Sequence, residues 1–507
     1  MSIPFADPSS ARPWSLAGSM LTRKAVLSIL LLICCVFSAS FARAQTAGEP
    51  QGGSPDQASL IEVGRYLATA ADCTACHTMP KTGKPYAGGY SIESPLGAIY
   101  ATNITPSKVA GIGNYTEAQF ARALRQGIRA DGTHLYPAMP YTAYAQLTDK
   151  DVRALYAYFM HAVDPVDEKV ARTELGFPFN IRSSMALWNL LFLDETRFEP
   201  DPSRDAMINR GAYLANGLAH CSTCHTPRNA LMAERGSQFL SGAGLGAWHA
   251  PNITSDEASG IGGWSDEELY QYLKTGRVKG KAQAGGQMAE AIENSLQYLS
   301  TEDLMAIVAY LRTVPAITSE KHAQPAFNRG KAFSSESELR GATGHTERDS
   351  LHSGAALFSA NCASCHQADA AGSKNQLYPS LFHNTSTGGG NASNLVAAIL
   401  FGVDRKVGEK EAFMPRFDEQ SMVNSLSDNQ IAAISTYVLA RYGNADLSVS
   451  SADVALARTG GPKPFLAKMQ PFLVWIMAVA AVLLISLVIW LARARRNRHG
   501  RRTDGRR

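Results

Sequence analysis

A five-residue motif of the form C-x-x-C-H occurs three times in this 507-residue chain, at residues 73–77, 221–225 and 362–366. This spacing is the attachment signature of c-type haem. Two thiols form thioether bonds to the porphyrin edge, and the adjacent histidine ligates the iron from below. The motifs predict three covalently bound haem c groups. The predicted thioether residues are Cys73, Cys76, Cys221, Cys224, Cys362 and Cys365, and the predicted proximal ligands are His77, His225 and His366.

Other uses of paired cysteines fit the pattern less well. A structural zinc site would place two cysteine pairs within a few dozen residues, whereas these pairs lie about 140–150 residues apart. A thioredoxin-like C-x-x-C does not require the following histidine. The two remaining cysteines, Cys34 and Cys35, lie in an apolar N-terminal stretch, so none is left over for a disulfide framework.

A methionine in each repeat is a candidate sixth ligand, since methionine ligation raises the haem potential. Met139 and Met414 each precede a proline, and proline holds the chain in an extended loop. Met288 follows two glycines, so we expect it on a flexible loop. The rival ligands are His134 in the first repeat and Met232 or Met305 in the second.

The surroundings of the motifs also repeat. A helix with a glycine precedes each motif, and another helix, with a Ser or Thr N-cap, closes each unit. In the first two units an amphipathic helix is also predicted between them, at residues 117–126 and 266–275. The closing helices carry Tyr158, Tyr310 and Tyr437, which we interpret as core residues. A helix before the motif and one at the end of the unit would cross and hold the haem between them. The pattern predicts an all-α fold of three tandem cytochrome c domains, at residues 45–163, 206–317 and 351–445.

The connections between the units differ in character. Residues 164–205 contain a strongly apolar segment, which predicts a helix packed across two haem domains. The alternative is a docking face for a partner subunit or a membrane surface. Residues 318–350 are polar and read as a surface tether, and residues 446–471 form a last linker.

The N-terminal 44 residues have the pattern of a secretory signal peptide. Arg23 and Lys24 precede an apolar core, and a small-residue cleavage pattern ends at Ala44. The translation start is either Met1 or Met20. An uncleaved anchor is the alternative, although the apolar core is short for a membrane span. Export agrees with the haem prediction, because bacteria attach c-type haem outside the cytoplasm.

Residues 472–491 contain no charged side chain and are long enough to cross a bilayer as a helix. The tail, residues 492–507, holds eight arginines, which predicts that it is cytoplasmic. We therefore expect a single C-terminal span in the bacterial cytoplasmic membrane, with the haem domains in the periplasm.

The net charge and the lack of further motifs reduce the number of function classes that fit the chain. Without its two basic ends, residues 1–44 and 492–507, the chain has 36 basic and 42 acidic residues, which argues against nucleic acid as a partner. The glycine-rich stretch 242–247 resembles a dinucleotide turn, but its context predicts only a loop. No substrate site is visible, and haems with both axial positions filled carry electrons.

The chain resembles the triheme cytochrome c subunits of membrane-bound bacterial dehydrogenases. The likeness covers about residues 60–445 and rests on the three motifs, on segment 136–141, on repeated Asn-Ile-Thr and Gly-Ile-Gly stretches, and on segment 224–228. It implies a separate catalytic subunit, with or without a further small subunit, and ubiquinone as the acceptor. The C-terminal span and segment 176–182 are similar to the flavin-linked gluconate, sorbitol and fructose dehydrogenases more than to the quinoprotein alcohol dehydrogenases.

Two other functions fit the same motifs. One is a haem enzyme, such as a peroxidase, with an open iron position in one unit. The other is the membrane-anchored cytochrome subunit of a terminal oxidase.

Overall fold

The computed structural model describes residues 57–94, 96–318, 324–339 and 352–504. The predicted signal peptide lies outside these residues. Within them the chain is predominantly helical, as predicted, and four short antiparallel hairpins add the strands that an all-α prediction leaves out.

The first unit contains both predicted helices and one hairpin. The predicted helix at 117–126 is present, with a capping box between Thr116 and Gln119 and a left-handed glycine, Gly127, at its end. The elements are α1 (Gln57–Ala70), α2 (Cys73–His77), β1 (Ser91–Ser94), β2 (Gly97–Tyr100), α3 (Glu117–Gln126), α4 (Tyr141–Tyr144) and α5 (Asp149–His161).

The second unit follows a connecting helix, α6 (Ser184–Phe192), and repeats the order of the first with one additional hairpin. A π-helical turn, Leu214–Leu218, extends its first helix toward the motif. The elements are α7 (Ala206–Tyr213), α8 (Cys221–His225), β3 (Ala243–Leu245), β4 (Trp248–Ala250), α9 (Asp266–Thr275), β5 (Arg277–Val278), β6 (Ala282–Gln283), α10 (Gly286–Asn294) and α11 (Thr301–Thr313).

The third unit has its own hydrophobic cluster, whereas the first two units share one. Its hairpin is the longest of those described. The elements are α12 (Glu336–Leu339), α13 (Gly354–Asn361), α14 (Ala363–His366), α15 (Thr385–Gly388), α16 (Ser393–Phe401), β7 (Val403–Val407), β8 (Lys410–Met414) and α17 (Asp428–Tyr442). Helices α18 (Ser451–Arg458) and α19 (Phe465–Asp504) complete the chain.

In each unit the helix before the motif crosses the closing helix at a glycine. A Cβ added to Gly64 would lie 2.0 Å from the Ala154 carbonyl oxygen, and one added to Gly211 would lie 1.8 Å from that of Ala306. In the third unit the corresponding distance, from Gly354 to the Ala433 oxygen, is 2.4 Å. The glycine therefore lets two backbones touch. Tyr158, Tyr310 and Tyr437 have their Cβ atoms against the same glycines, which agrees with their interpretation as core residues.

The first two units exchange a pair of tyrosine contacts: a tyrosine from each unit is hydrogen-bonded to the start of the closing helix of the other. Tyr66 of α1 donates a hydrogen bond to Asp303 Oδ2 (2.7 Å) and accepts one from Ser300 N (3.2 Å), at the start of α11. Tyr213 of α7 makes the matching bonds to Asp151 and to Thr148 N at the start of α5. Each unit thus secures the closing helix of the other. The third unit has Ala356 at the equivalent position, so it lacks the tyrosine for such an exchange.

We expect Tyr66→Phe and Tyr213→Phe each to destabilise the protein by about 1.5–3 kcal/mol, the usual range for a hydrogen bond to a charged group. Denaturant titration of the haem-loaded protein measures this change. Tyr298→Phe is the matched control, because Tyr298 is 62% exposed, and its effect should stay within about 0.5 kcal/mol. Equal denaturant midpoints for the three variants would contradict a stabilising role for these tyrosine contacts.

Several local predictions were wrong. The stretch 242–247 is not a loop, because β3 and β4 pair as a hairpin that turns at Gly246 (φ 66°). Met288 lies in the first turn of α10 instead of a flexible loop. In the part of the 318–350 link that the structure describes, Phe327 is buried, and the Ser335 hydroxyl lies 2.6 Å from that of Tyr437, so this part packs on the protein.

The C-terminal helix begins at Phe465, seven residues before the predicted span. Its stretch Phe465–Arg493 is the one segment, among the described residues, that is long and apolar enough to cross a membrane by length and composition. The large apolar side chains from Phe472 to Leu491 are exposed, apart from the half-buried Leu473, whereas Ala467 near the start of the helix is buried. This arrangement agrees with a membrane span.

Candidate haem-binding site

Each C-x-x-C-H motif forms one turn of helix. In the first two units the residue before the first cysteine, Asp72 or His220, has a left-handed backbone (φ 51° and 39°) that turns the chain sharply into the motif. Burial raises the pKa of Cys73, Cys221 and Cys362 to about 12. Desolvation therefore favours the neutral thiol over the charged thiolate at these positions.

The three motif histidines share one hydrogen-bond geometry. Nδ1 lies 2.6 Å from the Thr102 carbonyl oxygen in His77, 2.7 Å from that of Pro251 in His225 and 2.9 Å from that of Pro379 in His366. A carbonyl oxygen can only accept, so the proton is on Nδ1 and the Nε2 lone pair is free. A second hydrogen bond of this kind is what orients histidine ligands of metals.

Burial also keeps these imidazoles neutral. Desolvation lowers the pKa of His225 to about 4, and it lowers the pKa of His77 and His366 as well. In each case the carbonyl hydrogen bond opposes the shift without cancelling it. A neutral imidazole with a free Nε2 is the form that binds iron.

The repeated Asn-Ile-Thr segments place the acceptor carbonyls in the first two units. Asn103 Oδ1 accepts hydrogen bonds from Thr105 N (2.9 Å) and Oγ1 (2.7 Å). Asn252 makes the same pair with Thr254, at 2.8 and 2.7 Å. Each turn follows directly on the residue whose carbonyl faces the histidine. Sequence reasoning recognised the repeat and missed this role, although its position after both motifs was the available signal.

The second and third motifs line one continuous cavity of about 360 Å³. It brings together three of the four predicted thioether cysteines of these two motifs, both histidines and both candidate distal methionines. The lining includes Cys221, Cys224, His225 and Met288 on one side and Cys362, His366 and Met414 on the other. Two groups bound there would be neighbours.

The candidate distal ligands come from different elements. Met288 is in α10, and Met414 ends β8, where it pairs with Val403. Of the described residues that line the cavity, the methionines are these two, so the rivals Met232 and Met305 are not part of the lining.

In the first unit, Met139 lies in the turn before α4 and packs against the same hydrophobic cluster as Cys73. The rival His134 keeps a buried Nδ1 that has no hydrogen-bond partner among the described residues. Its carbonyl oxygen accepts a hydrogen bond from Arg182 (3.0 Å).

Comparisons with known proteins agree with this chemistry. The cytochrome c family matches residues 61–162 and 351–441, ranges that do not include the second unit. The chain is 48% identical to the fructose dehydrogenase cytochrome subunit of Gluconobacter japonicus over 94% of this chain and 98% of that protein.

Two further relatives are more distant. The identity is 37% to the cytochrome c subunit of the alcohol dehydrogenase (quinone) of Gluconacetobacter polyoxogenes, over 82% of this chain and 88% of that protein. It is 36% to the gluconate 2-dehydrogenase cytochrome c subunit of Pantoea cypripedii, over 80% and 91%. With neutral histidines poised beside paired thiols, this likeness means that the chain belongs to the family of cytochrome c subunits of bacterial dehydrogenases and transfers electrons through covalently bound haem c.

Proposed function

We propose that this protein is a triheme cytochrome that carries electrons from a periplasmic dehydrogenase subunit to ubiquinone in the membrane. The observation that supports three haems is the hydrogen-bond geometry of the three motif histidines. His225, in the unit that the cytochrome c family match does not include, has the same Nδ1-to-carbonyl contact as His77 and His366. One haem c in each of the three units accounts for it.

The proposed sites use the residues named from the sequence. The cysteine pairs 73/76, 221/224 and 362/365 hold the porphyrins, and His77, His225 and His366 are proximal ligands. Met139, Met288 and Met414 are the proposed distal ligands, supported for the last two by their place in the shared cavity. With both axial positions filled, each iron changes oxidation state without binding substrate, and the surrounding apolar residues set its potential.

The proposed domains are 45–163, 206–317 and 351–445, with connections at 164–205 and 318–350. The apolar helix at the C-terminus would anchor the protein in the cytoplasmic membrane, with the predicted span at 472–491. The arginine-rich tail, 492–507, would lie in the cytoplasm and the haem domains in the periplasm. A cleaved signal peptide, residues 1–44, would direct this export.

The partner we propose is a flavin-linked sugar or polyol dehydrogenase subunit, with or without a further small subunit. The support is the identity of 48% to the cytochrome subunit of a fructose dehydrogenase, compared with 37% to that of an alcohol dehydrogenase (quinone). The substrate would bind to that partner.

The test is purification of the complex from membranes. We expect three haems per chain by pyridine haemochrome assay, a copurifying flavoprotein, and ubiquinone reduction driven by fructose, gluconate or a polyol. Fewer than three haems would overturn the triheme proposal. A high-spin optical band would indicate an open iron and a haem enzyme, and a copurifying haem-copper core would indicate an oxidase subunit.

Met288→Leu tests the distal ligand in the second unit. We expect the potential of one haem to fall by on the order of 0.1 V, a fraction of the roughly 0.8 V range that axial ligands span. Covalent haem attachment should persist, since the cysteines are intact. A redox titration measures the shift, and Met305→Leu is the control because it removes a rival in the same unit. If Met305→Leu shifts a potential and Met288→Leu does not, the ligand assignment is wrong.

A further inference from the structure

The connecting helix α6 exposes leucines on its outer face. Leu187, Leu190 and Leu191 are 62%, 81% and 58% exposed. Their spacing of three and four residues puts them in one stripe. Phe177 and Ile181, just before the helix, are also exposed, as is Leu231 of the neighbouring unit. We call these six residues the outer patch.

The inner face of the same helix carries one buried polar residue among the half-buried Met185, Trp188 and Phe192. Asn189 is its buried residue. Its side-chain oxygen accepts a hydrogen bond from Tyr141 (2.8 Å), and its amide donates one to the Gln126 carbonyl (2.9 Å). Trp188, beside it, donates to the Leu231 carbonyl (2.9 Å). A helix at a water-exposed surface would place polar side chains outward, at the positions that these leucines occupy.

The outer patch adjoins the start of the apolar C-terminal helix. A Cβ added to Gly176 would lie 2.5 Å from Gln470 Nε2. Gln470 stands two residues before Phe472, where the uncharged run begins. Gly176, the residue before Phe177 of the outer patch, therefore contacts the part of the chain that would enter the bilayer.

We infer that the outer patch lies in the lipid interface of the membrane and forms a second contact beside the C-terminal span. This inference rests on the proposed membrane anchor. A bilayer surface accounts for an apolar outer face, for the polar residue turned inward and for the position next to the span. The patch has no charged residue, so apolar insertion and not lipid charge provides the binding.

Residues between Phe177 and α6 also contact the loop that carries Met139. Tyr136 donates a hydrogen bond to the Phe179 carbonyl (2.7 Å), and the Arg182 guanidinium stacks 4.5 Å from the Tyr136 ring centre. Insertion of the patch therefore fixes the height of the first haem unit above the bilayer. Orientation, as well as attachment, would be set by these contacts.

The experiment uses the whole haem-loaded complex in lipid vesicles. The six cysteines of the motifs are consumed by thioether bonds and Cys34 and Cys35 leave with the signal peptide, so Leu190→Cys adds a free thiol for a fluorescent label. Met422→Cys is the matched control, because Met422 is 90% exposed in the third unit. Half of the vesicles contain a lipid with a nitroxide quencher on the upper acyl chain, since interfacial helices lie about 5–10 Å deep.

We expect the label at 190 to lose several-fold more fluorescence to the quencher than the label at 422. Equal quenching in a complex that still floats with the vesicles would overturn the inference and leave the anchor intact. A label at 190 that the catalytic subunit shields, and the lipid quencher does not reach, would make the patch a subunit interface and also overturn it. A complex that does not float would refute the proposed anchor and this inference with it.

Discussion

Removing residues 465–507 should move the protein from the membrane fraction to the supernatant almost completely. The uncharged run 472–491 contains 13 Leu, Ile, Val and Phe residues. Each favours insertion by about 0.3–0.6 kcal/mol, or about 4–8 kcal/mol together. Twelve of these thirteen side chains are exposed in the described helix, so they contribute little to packing of the rest of the protein. Flotation of vesicles followed by a haem assay of each fraction measures the release.

A shorter truncation separates the helix from its basic tail. Removing only residues 494–507 keeps the whole apolar stretch and should leave the protein in the membrane fraction. The outer patch of α6 would give the longer truncation weak binding at most, which washing removes. If the protein lacking 465–507 floats as firmly as the full chain, another segment is the anchor.

Gly211→Ala should destabilise the second unit by about 3 kcal/mol or more, at the upper end of the range for overpacking. Helix propensity alone predicts that the substitution stabilises the protein, because alanine is more favourable than glycine in a helix by about 1 kcal/mol. The steric effect is larger here, since the new Cβ would lie 1.8 Å from the Ala306 carbonyl oxygen. Backbone atoms cannot move aside without separating α7 from α11.

The measurement for this variant is the denaturant midpoint together with the haem content per chain. Gly236→Ala is the matched control, because a Cβ there would meet no atom within 4 Å, and its effect should stay within about 0.5 kcal/mol. A Gly211→Ala protein with the stability and haem content of the control would show that the helices do not cross at this glycine.

The amino-acid sequence alone predicted much of the secondary structure, for local reasons. Helices α3 and α9 have the predicted bounds, because their first turns are defined by Ser or Thr capping boxes and their ends by left-handed glycines. The closing helices were found in the same way, by their N-caps. The elements that it missed are short hairpins such as β3–β4, whose pairing depends on the turn and on neighbours instead of a long periodic pattern.

The features of the candidate site also divide into those that the sequence predicts and those that depend on tertiary structure. Cysteine and histidine spacing within five residues is local chemistry, so the sequence by itself predicted the residues of haem attachment and the electron-transfer role. Only the tertiary structure decided which carbonyl faces each histidine, that the second and third motifs share a cavity, and that Tyr66 and Tyr213 join the first two units. It also decided that the leucines of α6 point outward. These facts depend on residues that are tens or hundreds of positions apart, and no local pattern records which of them meet.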